Sequence, residues 1–135
     1  MFNEIIKQEY NGTDNLMKQI TNLMDIGTYP IFVTAGDGNE KLNHIKHNYY
    51  LAHCYDALCN ISGSLIKYGF NFGEYDNHII QAINKAANNP KIEKKLWSIY
   101  IGVYNEDDKN HIESIKSNFK CKVHIFDSKT ANIWT

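Results

Sequence analysis

GSLIKYGFNFGEYDNHII, residues 63–80, decides how the rest of the chain is read. Residues 64–68 are a short apolar run that predicts a strand, and Ile79, Ile80, Ile83, Ala86 and Ala87 recur at helical spacing just beyond it. Between them lies Gly69-Phe70-Asn71-Phe72-Gly73, followed by the acids Glu74 and Asp76 where the helix begins. A strand, a turn bounded by glycines and an amphipathic helix form the repeating unit of an α/β protein.

Outward from this unit the same order recurs. Upstream, Leu16, Ile20, Leu23 and Met24 predict a helix with Thr13 as N-cap and Gly27 past its end; the opening MFNEIIKQEY reads as a further short helix. Residues 30–34 predict a strand closed by the turn Ala35-Gly36-Asp37-Gly38. Residues 39–60 return to helical spacing through Leu42, Ile45, Tyr49, Ala52, Tyr55 and Leu58, with a bend expected at His47-Asn48. Downstream, Asn88-Asn89-Pro90 stops the helix that follows the central turn, and residues 96–103 are the longest strand-like stretch. Asn105-Glu106-Asp107-Asp108 caps a helix carrying Ile112, Ile115 and Phe119, and residues 122–126 give a fourth strand. The expectation is a single domain over residues 1–135. It is a three-layer α/β fold with a mostly parallel four-stranded sheet and helices on both faces.

Composition narrows the classes of partner. Fourteen basic residues against fifteen acidic ones leave a net charge of −1, which provides no general attraction to nucleic acid or an anionic membrane. Three cysteines without a CxxC pair, and no signal-like start, predict reduced thiols in a cytoplasmic protein. His44 and His47 stand one helical turn apart, but His53 falls about 240° further round an unbroken helix, so no metal site is expected. Cys54, Cys59, Ser64, His78 and His124 carry no nucleophile signature. Trp97 and Tyr100 fit packed strand positions, and Trp134 is a candidate cover for a sheet edge or an oligomer contact.

Parallel sheets bind ligands at the carboxyl ends of their strands, where the turns AGDGN, GFNFGEYD and YNEDD gather. Gly69 and Gly73 permit positive φ or close backbone approach, and a helix N-terminus favours an anion. Glu74 and Asp76 either compete with a bound phosphate, contact ribose hydroxyls, or merely complement the helix dipole. The turn lacks both the Walker and the GxGxxG spacing, so a structural and a ligand-binding role both stand.

The segments YPIFVTAGDGNEKLNHIKHNYYLAHCY (29–55) and GSLIKYGFNFGEYDNHIIQAI (63–83) add a resemblance. With Gly36, Lys41, Ile45, Tyr50-Leu51 and Gly69…Asp76-x-His78, residues 28–104 resemble the C-terminal half of the bacterial domain-of-unknown-function family 4917, which is itself similar to sirtuin-like Rossmann domains. The resemblance implies that Gly69-Phe70-Asn71 lines a pocket for NAD or ADP-ribose, with Gly36 alongside. Asn71 and Asp76 would then contact ribose or phosphate. It also implies half of a larger domain, because no glycine-rich strand-turn-helix precedes residue 28. Such a half binds nucleotide without consuming NAD, and is completed by an N-terminal partner or a second copy. The alternative is a cofactor-free protein interaction module.

Overall fold

The computed structural model describes residues 16–27, 36–90 and 95–131. The chain forms two compact units, Met1–Thr34 and Ala35–Thr135. Of the first unit, helix α1 (Leu16–Asp25) is described, ending in Gly27 at φ +79°. The strand expected at 30–34, the opening helix, the Thr13 cap and Trp134 lie outside the described residues.

The second unit runs α2 (Gly38–His47), α3 (Tyr49–Cys59), β1 (Gly63–Lys67), α4 (Asn77–Ala87), β2 (Leu96–Val103), α5 (Glu106–Ile115) and β3 (Lys122–Asp127). Asp37 starts α2 with a reciprocal cap. Its Oδ1 accepts the N–H groups of Asn39 and Glu40 at 2.7 and 2.9 Å, and Glu40 Oε2 accepts the Asp37 N–H at 3.2 Å. The expected bend is a complete break at Asn48. This residue ends α2 in an extended conformation and caps α3 by accepting the Leu51 N–H at 3.0 Å.

Three parallel strands in the order β1-β2-β3 make up the sheet of the described residues. Strands that advance in one direction through right-handed crossovers place both connecting helices on the same face. Accordingly Ile80 and Ile83 of α4 and Ile112 of α5 meet Leu65, Ile99, Ile101, Val123 and Ile125 in one core. Helices α2 and α3 form a second cluster, Ile45 and Tyr55 against Ala82 on the other side of α4. Within the second unit the sheet thus has α4 and α5 on one face, and the described residues show an α/β fold with three parallel strands rather than the four expected. Ile66, on the opposite face, is 71% exposed, and Tyr100 beside it stacks on His124 at 4.6 Å.

The register contains an irregularity that local pattern reading missed. Gly63 pairs with Leu96 but Ser64 pairs with Ser98, so Trp97 is an extra residue on β2. This bulge turns both Leu96 and Ile99 inward despite their spacing of three, and leaves Trp97 54% exposed with Lys95 Nζ 4.4 Å from its ring centre. Trp97 and Tyr100, expected to pack within the sheet, instead face outward.

Candidate functional site

All three strands end around one cleft. It is about 340 Å³ in volume and is lined by residues following β1 (Tyr68, Gly69, Phe70, Asn71), the end of β2 (Gly102, Tyr104), the first turn of α5 (Asp108) and the residue after β3 (Ser128), with Lys67 at its side. This is the carboxyl end of the sheet, where crossover loops must gather and where backbone groups are left over from the ladder.

The loop after β1 owes its shape to two left-handed residues. Gly69 has φ +70°, which costs glycine nothing, and Phe72 has φ +42°, which a residue with a β-carbon seldom adopts. Phe72 is held there by burial: its ring packs edge-on to Phe119 at 5.3 Å and to Phe70 at 5.0 Å. The loop carbonyls are tied from below by α5, whose His111 Nε2–H donates to the Asn71 and Phe72 carbonyls at 3.0 and 3.1 Å. Among the described residues the N–H groups of Phe70 and Asn71 meet no protein acceptor. Successive amides next to a left-handed residue form a concavity suited to an anion.

Lys67 supplies positive charge to the same place. Its Nζ donates to the Gly102 carbonyl at 3.3 Å and lies 5.8 Å from the centre of the Phe72 ring. Burial pushes its pKa below the usual lysine value, partly offset by the Asp108 carboxylate. Asp108 is itself fixed, its Oδ2 accepting the Tyr104 N–H at 3.2 Å and its N–H donating to Asn105 Oδ1 at 2.8 Å. Ser128 is buried at the cleft floor. Tyr104 forms an exposed aromatic wall with Lys129 Nζ 4.5 Å from its ring centre. Sequence reasoning placed Tyr104 and Asp108 in a strand-end turn but missed Lys67, His111 and Ser128 as parts of this rim. The usable signal was positional, since each stands at or just past the carboxyl end of a strand or in the helix that follows.

Of the residues expected to bind cofactor, Gly69, Phe70 and Asn71 come together in the cleft, while Gly36 and Asp76 do not line it. Gly36 packs against Glu40, whose carboxylate lies 2.6 Å from where a β-carbon would stand. The Asp76 carboxylate is occupied internally: Oδ1 accepts from Lys41 Nζ at 2.9 Å and Oδ2 accepts the Gly73 N–H at 3.1 Å. Asp76 thus clamps the turn to α2. His78 is packed beneath this clamp, with its carbonyl accepting from Tyr55 OH at 3.2 Å and its Nδ1 buried without a hydrogen-bond partner among the described residues. Burial lowers the pKa of its imidazole; the Asp76 carboxylate opposes that shift and the Lys41 ammonium adds to it.

Of the remaining candidates, His47 and Ser64 have structural partners. His47 Nδ1–H donates to the Asn43 carbonyl at 2.7 Å, and Ser64 Oγ bonds Ser98 Oγ at 2.9 Å. Burial raises the thiol pKa of Cys59 and Cys121, the opposite of what a thiolate nucleophile needs. Among the described residues, no three His, Cys, Asp or Glu side chains are placed to hold a metal, and no helix is long and apolar enough to cross a membrane.

A family model described as Domain of unknown function (DUF4917) matches residues 2–134. The match corrects the narrower extent of 28–104 and the restriction to a C-terminal half. No curated protein and no solved structure matches the chain. The chain belongs to the DUF4917 family.

Proposed function

We propose that this member of the family is a nucleotide-binding domain of the NAD or ADP-ribose type, related to sirtuin-like Rossmann domains, that binds its ligand without consuming it. The observation that carries the reading is the convergence on one strand-end cleft of the Phe70 and Asn71 amides, the Lys67 ammonium and the Ser128 hydroxyl. Amides and ammonium suit a phosphate, and Asp108 suits a ribose hydroxyl, the role that the sequence assigned to Asp76. Phe70 and Tyr104 offer apolar walls to the nucleoside. At about 340 Å³ the cleft stands near the lower end of the range for small-molecule sites, a size suited to one half of a dinucleotide.

Calorimetric titration with ADP-ribose tests the reading. Saturable binding that weakens in Lys67→Ala and Asn71→Pro, and survives in Asp76→Asn, supports it. Heat no greater than that of dilution removes it.

A second reading, a protein interaction module, draws on a different feature. The outer face of a parallel sheet is ordinarily covered, yet here Ile66 is 71% exposed and Tyr100 38% exposed. Light scattering at rising concentration separates the readings, a dimeric mass favouring self-association through that face.

A further inference from the structure

The cleft contains a group that anion binding does not require in its unusual state. Lys67 Nζ is drawn back from solvent against Gly102 and Phe72, with a neutral carbonyl as its only hydrogen-bond partner among the described residues. Lysines elsewhere are held differently. Lys41 is paired with Asp76, Lys109 with Glu106 and Lys116 with Glu113, and Lys129 lies over Tyr104 outside the cleft. We infer that Lys67 is a reactive amine placed to form an imine with a phosphorylated carbonyl compound whose phosphate rests on the Phe70 and Asn71 amides.

The geometry suits the neutral amine as well as the ammonium. A neutral amine keeps one N–H on the Gly102 carbonyl and retains a lone pair for attack. Burial lowers the cost of giving up the proton, since a charged ammonium loses hydration there, while the Asp108 carboxylate across the cleft opposes that shift. In the reaction the Nζ lone pair adds to the carbonyl carbon and forms the C–N bond. The two amine protons end on the former carbonyl oxygen, which departs as water and leaves a C=N bond. Asp108 and Ser128 line the same cleft and can carry those protons. The open-chain form of ADP-ribose bears both a phosphate and an aldehyde, so it falls within the ligand class.

The inference rests on the rim being an anion site, and the experiment separates the two. The intact chain is incubated near neutral pH with glyceraldehyde 3-phosphate and sodium cyanoborohydride, which reduces an imine to a stable secondary amine. Peptide mapping then measures the modification rate at each lysine. Lys67 is expected to be labelled several-fold faster than Lys129. That preference should be lost with phosphate-free glyceraldehyde and suppressed by excess inorganic phosphate, and Lys67→Arg should abolish the fast label. Lys67 labelled no faster than Lys129 overturns the imine inference; if ADP-ribose still binds in calorimetry, the nucleotide reading stands without it.

Discussion

Replacing Ile99 and Ile66 by alanine, one at a time, asks which face of the sheet is the core. Ile99 is fully buried at the centre of the middle strand, flanked in register by Leu65 and Val123. Truncation to alanine removes three carbons, worth about 2.4 kcal/mol at roughly 0.8 kcal/mol per buried methylene. Both neighbours are fixed by their ladders, so the site cannot collapse, and a cavity term brings the cost to about 3–4 kcal/mol. Ile66 is one residue along β1 from Leu65 but points to the other face and is 71% exposed. Its truncation is expected to stay within about 0.5 kcal/mol. Urea unfolding followed by far-ultraviolet circular dichroism measures both, with an unchanged slope showing that the comparison is one of stability. Equal costs at the two positions would refute the assignment of helices to one face, and would show that a further element or a second copy covers Ile66.

Other outcomes follow from single contacts. Burial holds the pKa of His78 below the ordinary imidazole value of about 6.5, whereas the unfolded chain takes up a proton as pH falls through that value. Its stabilising contribution is therefore complete above about pH 6.5 and is lost on acidification, and the urea midpoint should drop between about pH 7 and pH 5.5 less steeply in His78→Gln. Asp37→Ala removes the acceptor of two N–H groups at the start of α2 and should cost about 1 kcal/mol by thermal unfolding. Gly102→Ala places a β-carbon 2.9 Å from Phe126 Cζ, within the strand-end rim; a loss of about 1–3 kcal/mol is expected, and an unchanged midpoint would mean that the ring moves freely.

Much of the fold was legible because turn chemistry and apolar period agreed. The bounds 96–103 for β2 follow from the longest β-rich stretch in the chain, and the break at Asn48 from a polar pair in an otherwise periodic stretch. Gly69 stood out because only a left-handed or closely approached position wants glycine between a strand and a helix, and it does adopt φ +70°. The Trp97 bulge was not legible. Whether an aromatic residue in a strand packs inward or is squeezed out depends on the partner strand's register, which no local pattern contains. One-sided coverage likewise depends on strand order. The partner of Asp76 was hidden for a similar reason: Asp76 and Asp108 both follow strand-end turns, but Lys41, 35 residues away in sequence, pairs with Asp76. Lys67 read only as a strand residue, and the fold is what brings it beside Gly102 and Phe72.

The measurement that bears most directly on the strand-end cleft is a titration of the isotope-labelled chain with ADP-ribose, followed by amide chemical shifts. The account expects saturable shifts at Gly69, Phe70, Asn71, Gly102, Tyr104 and Ser128, with the opposite end of the sheet, at Gly63 and Lys122, left unmoved. Shifts absent from the rim at saturating nucleotide, or confined to the far end of the strands, would contradict it.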